Sequence, residues 1–172
     1  MFLKDINDSE FGPLVADDKI TSVYNKRSSK KIFKTVKAST PERLKQRVAF
    51  EEEEGWEKVK KLKGAYKLSQ DKKADEVLED DVWCMVHKMG YDEISENRQF
   101  KIKIPKDSIP RQIDVFAKDK EIALVIECTQ IDEPKRKSML KLIEKITAFK
   151  GRMSNAIRSK YGRDTNLKTK FI

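Results

Sequence analysis

The chain has 172 residues, with 38 Lys+Arg against 29 Asp+Glu and a formal net charge of +9. That length suits one domain, or one domain with an extension, and no apolar run approaches the roughly 20 residues of a membrane-spanning helix. The opening MFLKDINDSE lacks the apolar centre of a secretory signal, and a single histidine, His87, disfavours a His-based metal site or a Ser–His–Asp triad. Cys84 and Cys128 lie inside apolar runs and read as free thiols of a cytoplasmic protein.

Residues 1–22 show no period and are expected as a mobile arm. A short strand is expected over 32–36. Thr40 can cap a helix that has Pro41 at its first position and stops at Gly55. Its acidic run, Glu51 to Glu54, reads as a solvated face. Residues 56–70 alternate in part and read as a strand or a connector.

From residue 75 the pattern sharpens. Leu78, Val82, Met85, Val86 and Met89 recur at helical spacing over 75–89, and Gly90 suits a left-handed terminator. Trp83 and both cysteines read as core, and His87 as a boundary histidine. Residues 98–104 set Phe100, Ile102 and Ile104 against Lys101 and Lys103, the mark of a half-buried strand. A second strand is expected over 112–117, a two-residue turn at Asp119-Lys120, and a third strand over 121–130. Residues 122–126 are continuously apolar, so that strand should be central. A basic helix is expected from about 133 to 150 or on to 161, burying Leu140, Ile143, Ile146, Met153 and Ile157. A fourth strand over 167–172 ends the chain, which points to a fragment of a longer protein with further domains.

Charge is concentrated at the C-terminal end. Residues 135–172 hold 12 basic and 2 acidic residues, whereas residues 1–134 hold 26 basic and 27 acidic ones. A polyanion such as nucleic acid is the natural partner of such a surface. Lys135, Arg136, Lys137, Arg152, Arg158, Lys160 and Arg163 are the candidate phosphate contacts.

Two acids sit where acids are costly. Asp114 lies within the second strand, and Glu127 closes the apolar run of the third. With a two-residue turn, Asp114 pairs with Val125 and Gln112 with Glu127, so the two carboxylates share a face as diagonal neighbours. Such a pair suits a hard cation such as Mg²⁺ or Mn²⁺, which activates a water for attack on a phosphodiester. The alternative is a pair of structural carboxylates near strand ends.

This arrangement resembles the PD-(D/E)xK, or restriction-endonuclease-like, nuclease superfamily, and within it the Mrr-type branch. Asp114 and Glu127, 13 residues apart, match its first two acidic positions. Leu78-Glu79-Asp80-Asp81-Val82, with Gly90-Tyr91 eleven residues after Glu79, matches its first helix. The resemblance covers residues 75–172; residues 1–74 resemble, more distantly, the leader of nuclease-like regions in DGQHR-domain proteins. It implies an α/β fold: a restriction-endonuclease-like αβββαβ core, a mixed central sheet flanked by helices, with a mostly helical or irregular extension over 1–74. It also implies Mg²⁺ or Mn²⁺ on Asp114, Glu127 and the Cys128 main-chain carbonyl, and Glu79 beside them. One departure stands out: the family's lysine falls at Thr129, and a hydroxyl carries no charge. Lys118, Lys137, Lys141 and Gln130 are the substitutes within reach of consideration, and Lys141 on the following helix is preferred.

The function expected is therefore a divalent-metal-dependent endodeoxyribonuclease acting on DNA, RNA remaining open, with a homodimer as one mode of assembly and no membrane partner. The alternatives are a catalytically inactive nuclease-fold domain that binds nucleic acid, and a protein-interaction or oligomerisation domain.

Overall fold

A computed structural model describes residues 11–104, 110–129, 136–162 and 166–172, and leaves aside the side chains at 136–139, 142 and 145. The fold is mixed α/β. In chain order it runs β1 (Leu14–Val15), α1 (Asp18–Ser28), β2 (Lys31–Lys37), α2 (Pro41–Glu53), β3 (Glu57–Leu62), β4 (Ala65–Asp71) and α3 (Ala74–Lys88). Then follow β5 (Glu93–Ser95), β6 (Phe100–Ile102), β7 (Arg111–Ile113), β8 (Val115–Lys118), β9 (Ile122–Ile126), α4 (Arg136–Tyr161) and β10 (Lys168–Phe171).

The main sheet has the order β1-β5-β8-β9-β10. Its neighbours are antiparallel except β10, which runs parallel to β9, with Phe171 beside Val125. The run Ile122–Ile126 is central, as its unbroken apolar character requires, and is buried from Ala123 onward. Its side chains alternate between two cores. Ala123 and Val125 pack with Phe116, Phe149, Met153 and Ile157 beneath α4. Leu124 and Ile126 pack with Val115, Ala117, Trp83 and Val86 beneath α3, with Val23 and Tyr24 of α1 alongside.

A smaller antiparallel sheet, β2-β4-β3, carries α2 on one face through Val36, Leu44, Val48 and Leu68. Thr40 accepts from Arg43 N–H at 3.3 Å and so caps α2. The segment 56–70, read as strand or connector, is a hairpin turning at Gly64.

Several expectations change. The arm expected over 1–22 supplies β1 and the start of α1 from residue 11 onward; residues 1–10 lie outside the described residues. The first strand, expected at 98–104, is β6, which pairs with β7 and is bridged by Phe11, and β5 before it, which the sequence did not signal, joins the main sheet. The second is broken at Asp114, where the chain leaves β6 and joins β5 and β9. The turn expected at Asp119-Lys120 is longer. Lys118 pairs with Ala123, because Asp119 Oδ1 accepts from the N–H of Glu121 at 2.7 Å and of Ile122 at 2.6 Å and rounds the connection.

Both helical stripes are also rotated. On α3 the buried residues are Asp80, Trp83, Cys84 and Val86, while Met85 and Met89 are exposed. Trp83 Nε1–H donates to Ser95 O at 2.7 Å, which turns that face inward. On α4 Phe149, Met153, Ala156 and Ile157 are buried, and Leu140 and Ile143 are exposed. Gly90 ends α3 at φ 87, as expected. Gly90→Ala is expected to cost about 1 kcal/mol in thermal unfolding, the penalty for a side chain in left-handed backbone.

Candidate active site

The two acids of the hairpin lie at one end of the β8-β9 pair, Asp114 just before β8 and Glu127 just after β9. Val115 pairs with Ile126, two residues off the register that a two-residue turn gives, and Asp114 lies in the bend outside this ladder. This corrects the diagonal relation expected from a two-residue turn. Glu127 faces the cavity under α4 and Asp114 lies near Glu79 of α3, both at the end of β9, where Cys128 feels all three charges.

Asp114 occupies the bend between β7 and β8, where the chain changes sheets. Its Oδ2 accepts from the Cys128 N–H at 2.6 Å, which fixes the carboxylate across the end of β9. Burial raises the Asp114 carboxyl above the usual range, and that hydrogen bond works the other way. Glu79 is half-buried on α3. Burial first, then the charge of Asp114, raises its carboxyl as well.

Cys128 registers the whole group. Burial, followed by the charges of Asp114, Glu79 and Glu127, pushes its thiol from 9.0 up to about 11. Cys128 is therefore expected to carry roughly a hundredfold less thiolate at neutral pH than an ordinary thiol. Iodoacetamide labelling followed by peptide mass should proceed about a hundredfold slower than for a small thiol, and faster in Asp114→Asn. A labelling rate equal to that of the small thiol would mean that the acids are not gathered around Cys128.

Glu127 lies past the end of β9. Its N–H donates to Ile172 O at 3.1 Å, extending the parallel pairing. With Val125, Ile146, Phe149 and Phe171 it lines a cavity of about 200 Å³, whose other polar walls are Thr147 and Lys150. Lys150 also lies 5.2 Å from the centre of the Phe171 ring. Lys150 was not singled out in the sequence, because a helix start uncertain by three residues leaves its facing direction open.

Compared with family models, curated proteins and solved structures, the chain matches none significantly.

The remaining candidates fall as follows. Thr129 is exposed beyond the strand end, and Lys141 is exposed on α4 outside the walls of the Glu127 cavity. Lys118 is engaged by Glu93 and lies 5.4 Å from the Tyr161 ring, at the far end of the hairpin. Arg152, Arg158 and Lys160 are exposed along α4. Lys135, Arg163 and Gln130 lie outside the described residues, as do the side chains of Arg136 and Lys137. Among the described residues no three His, Cys, Asp or Glu side chains are grouped tightly enough to hold a metal ion.

Asp80, next to Glu79, has a different role. Its side chain is 2% exposed, and Oδ1 accepts from Arg27 at 2.7 Å while Oδ2 meets Lys72 Nζ at 2.7 Å. Arg98 closes on the same carboxylate and holds Glu76 at 2.8 Å. Lys72 also donates to Arg27 O at 2.8 Å and Lys26 O at 3.0 Å. The three cations are thus spent on Asp80, Glu76 and carbonyls. They form an ion network, buried at Asp80, Arg27 and Lys72, that ties α1, α3 and the ends of β4 and β5 together. His87 stands at the edge of this layer, 5.2 Å from the Tyr24 ring and 5.8 Å from Trp83.

Proposed function

We propose that this chain is a divalent-metal-dependent nuclease domain with a restriction-endonuclease-like αβββαβ core, hydrolysing phosphodiesters in DNA. The observation that carries the reading is the Asp114 carboxylate anchored by the Cys128 N–H at the end of β9, the strand that Glu127 follows. Glu79 lies near enough to be repelled by Asp114. The order of α3, the strands β5 to β9, α4 and the parallel β10 supports the core assignment.

The donor chemistry fits a hard cation. Two carboxylates and a main-chain carbonyl are oxygen donors of the kind Mg²⁺ and Mn²⁺ take with several waters retained, so three clustered acidic side chains are not required. Asp114, Glu127 and the Cys128 carbonyl would hold the ion. Burial raises both carboxyls, and the charge of Asp114 raises that of Glu79 further, the condition such an ion relieves. When bound, it lowers the pKa of a water and offsets charge on the phosphate oxygens.

The chain's own groups do the rest. The Cys128 N–H holds one Asp114 oxygen and leaves the other for the ion. Glu79 orders water beside it. Lys150, in the cavity of Glu127, supplies the positive charge that Thr129 lacks. Arg152, Arg158 and Lys160 hold the phosphate backbone, which positions the substrate without reading its sequence.

A second reading, nucleic-acid binding without cleavage, is favoured by Thr129 in the lysine position. Supercoiled plasmid and labelled duplex incubated with Mg²⁺ or Mn²⁺ separate the two. Nicking that disappears with EDTA supports the enzyme, and salt-sensitive binding without nicking supports the second reading.

A further inference from the structure

The small sheet has one face covered by α2; on the outward face Phe33, Thr35, Lys37, Lys60 and Leu62 of the edge strands are exposed, while Ser69 and Ala65 of the central strand are buried. Cross-strand partners share a face. The register places Phe33, Ser69 and Glu57 in one row, Thr35, Lys67 and Lys60 in the next, and Lys37, Ala65 and Leu62 in a third. Val36 and Leu68, of the opposite parity, pack under α2. On the outward face Phe33 is 50% exposed and Leu62 is 38% exposed. Phe33 lies on the edge strand β2 and Leu62 at the hairpin end of β3, so the face carries apolar area among its lysines.

The charge on this face is one-sided. Lys31 answers Glu57 at 3.1 Å and Asp71 at 3.8 Å, so both acids of the face are met by one cation. Lys37, Lys60 and Lys67 remain in excess. Lys67 Nζ sits over the Phe33 ring, 4.6 Å from its centre, so a cation meets one face of the ring and a base would stack on the other. A flat aromatic surface bordered by separate cations is complementary to a chain that alternates flat π-faces with negative charges.

We infer that the outward face of the β2-β4-β3 sheet binds single-stranded nucleic acid, with a base stacked on Phe33 and phosphates held by Lys37, Lys60 and Lys67. An acidic peptide would satisfy the lysines and leave Phe33 without a stacking partner. Rigid duplex would present phosphates and keep its bases out of reach of the ring. The inference does not depend on cleavage, because this face lies on a different sheet from Asp114 and Glu127.

The test is fluorescence anisotropy with the full chain in EDTA, using labelled oligo-dT, oligo-U and a duplex of equal length. Single strands are expected to bind more tightly than duplex. Phe33→Ala is expected to weaken single-strand binding about tenfold, and Phe33→Trp to retain it. Phe33→Leu should fall with alanine, since it keeps apolar area and loses the π-face. The double variant Lys37→Gln/Lys60→Gln should flatten the slope of log affinity against log salt by about 1.4, from roughly 0.7 per phosphate contact on single strands. Phe33→Ala should lower single-strand affinity by the same factor in the parent and in the Asp114→Asn background, which separates the inference from the nuclease reading. Equal affinity of Phe33→Ala and the parent overturns it, as does full rescue by leucine. Competition by polyglutamate as effective as that by oligo-dT also overturns it and assigns the face to acidic peptides. Oligo-dT against oligo-U then distinguishes DNA from RNA. Melting temperatures of the variants, expected to match the parent for a half-exposed residue, ensure that lost binding is not lost fold.

Discussion

Asp80→Ala is expected to destabilise the fold by about 3–5 kcal/mol, because one buried carboxylate is shared by three cations, of which Arg98 also meets Glu76. For a chain of this size that is a fall in melting temperature of roughly 10 °C or more. Asp80→Asn should behave similarly, since an amide keeps the shape and loses the charge. The neighbouring Asp81 is exposed, and Asp81→Ala should stay within about 0.5 kcal/mol of the parent. Circular-dichroism melts of the three variants check this, and an Asp80→Asn protein melting with the parent would remove the network from the account. The network also sets a pH dependence. Burial alone would raise the Asp80 carboxyl, but hydrogen bonds from Arg98 and Lys72 and the charges of Arg98 and Arg27 outweigh it and hold it below the ordinary range. A carboxyl lowered in the folded state contributes stability above its unfolded pKa and loses it as pH falls through the folded value. Acidification below about pH 4 should therefore narrow the difference between parent and Asp80→Asn.

The sequence carried the backbone plan better than the facing of its helices. Thr40, Pro41 and Gly90 marked helix ends because capping and left-handed backbone are local chemistry. The apolar run 122–126 marked a central strand because nothing polar interrupts it. Met85, Met89, Leu140 and Ile143 misled because a hydropathy period counts apolar residues and cannot see an ion network. On α3 it is Asp80, a charged residue, that faces inward, drawn there by Arg27, Lys72 and Arg98 from 8 to 53 residues away. β1 and α1 were illegible for a related reason. Two residues of strand show no period, and α1 is held through Arg27, Val23 and Tyr24 by α3 and not by a strong stripe of its own. The rim was legible in outline, since two acids at strand ends break an apolar pattern conspicuously. Its register was not, because the side chain of Asp119 and not the turn length determines where the hairpin closes.

Glu127→Gln and Asp114→Asn are each expected to lower metal-dependent cleavage by about a thousandfold while leaving the fold intact. Loss of one oxygen ligand removes several kcal/mol of stabilisation of developing charge, and each 1.36 kcal/mol is a factor of ten in rate. Asn at 114 keeps an oxygen for the Cys128 N–H, so the hairpin end is preserved. Its effect on stability should have the opposite sign to that of Asp80→Asn. The Asp114 carboxyl is raised in the folded state, so its ionisation costs stability as pH rises through that value, and the amide escapes the cost. Asp114→Asn should thus melt no lower than the parent at neutral pH while losing cleavage, the behaviour of a group held for chemistry rather than for folding. The lysine question can be answered in the same assay. Lys150→Gln should depress the rate and Lys141→Gln should not, because only Lys150 shares the cavity of Glu127. Cleavage that survives both Asp114→Asn and Glu127→Gln would remove this rim as the catalytic centre, whatever nuclease activity the preparation shows.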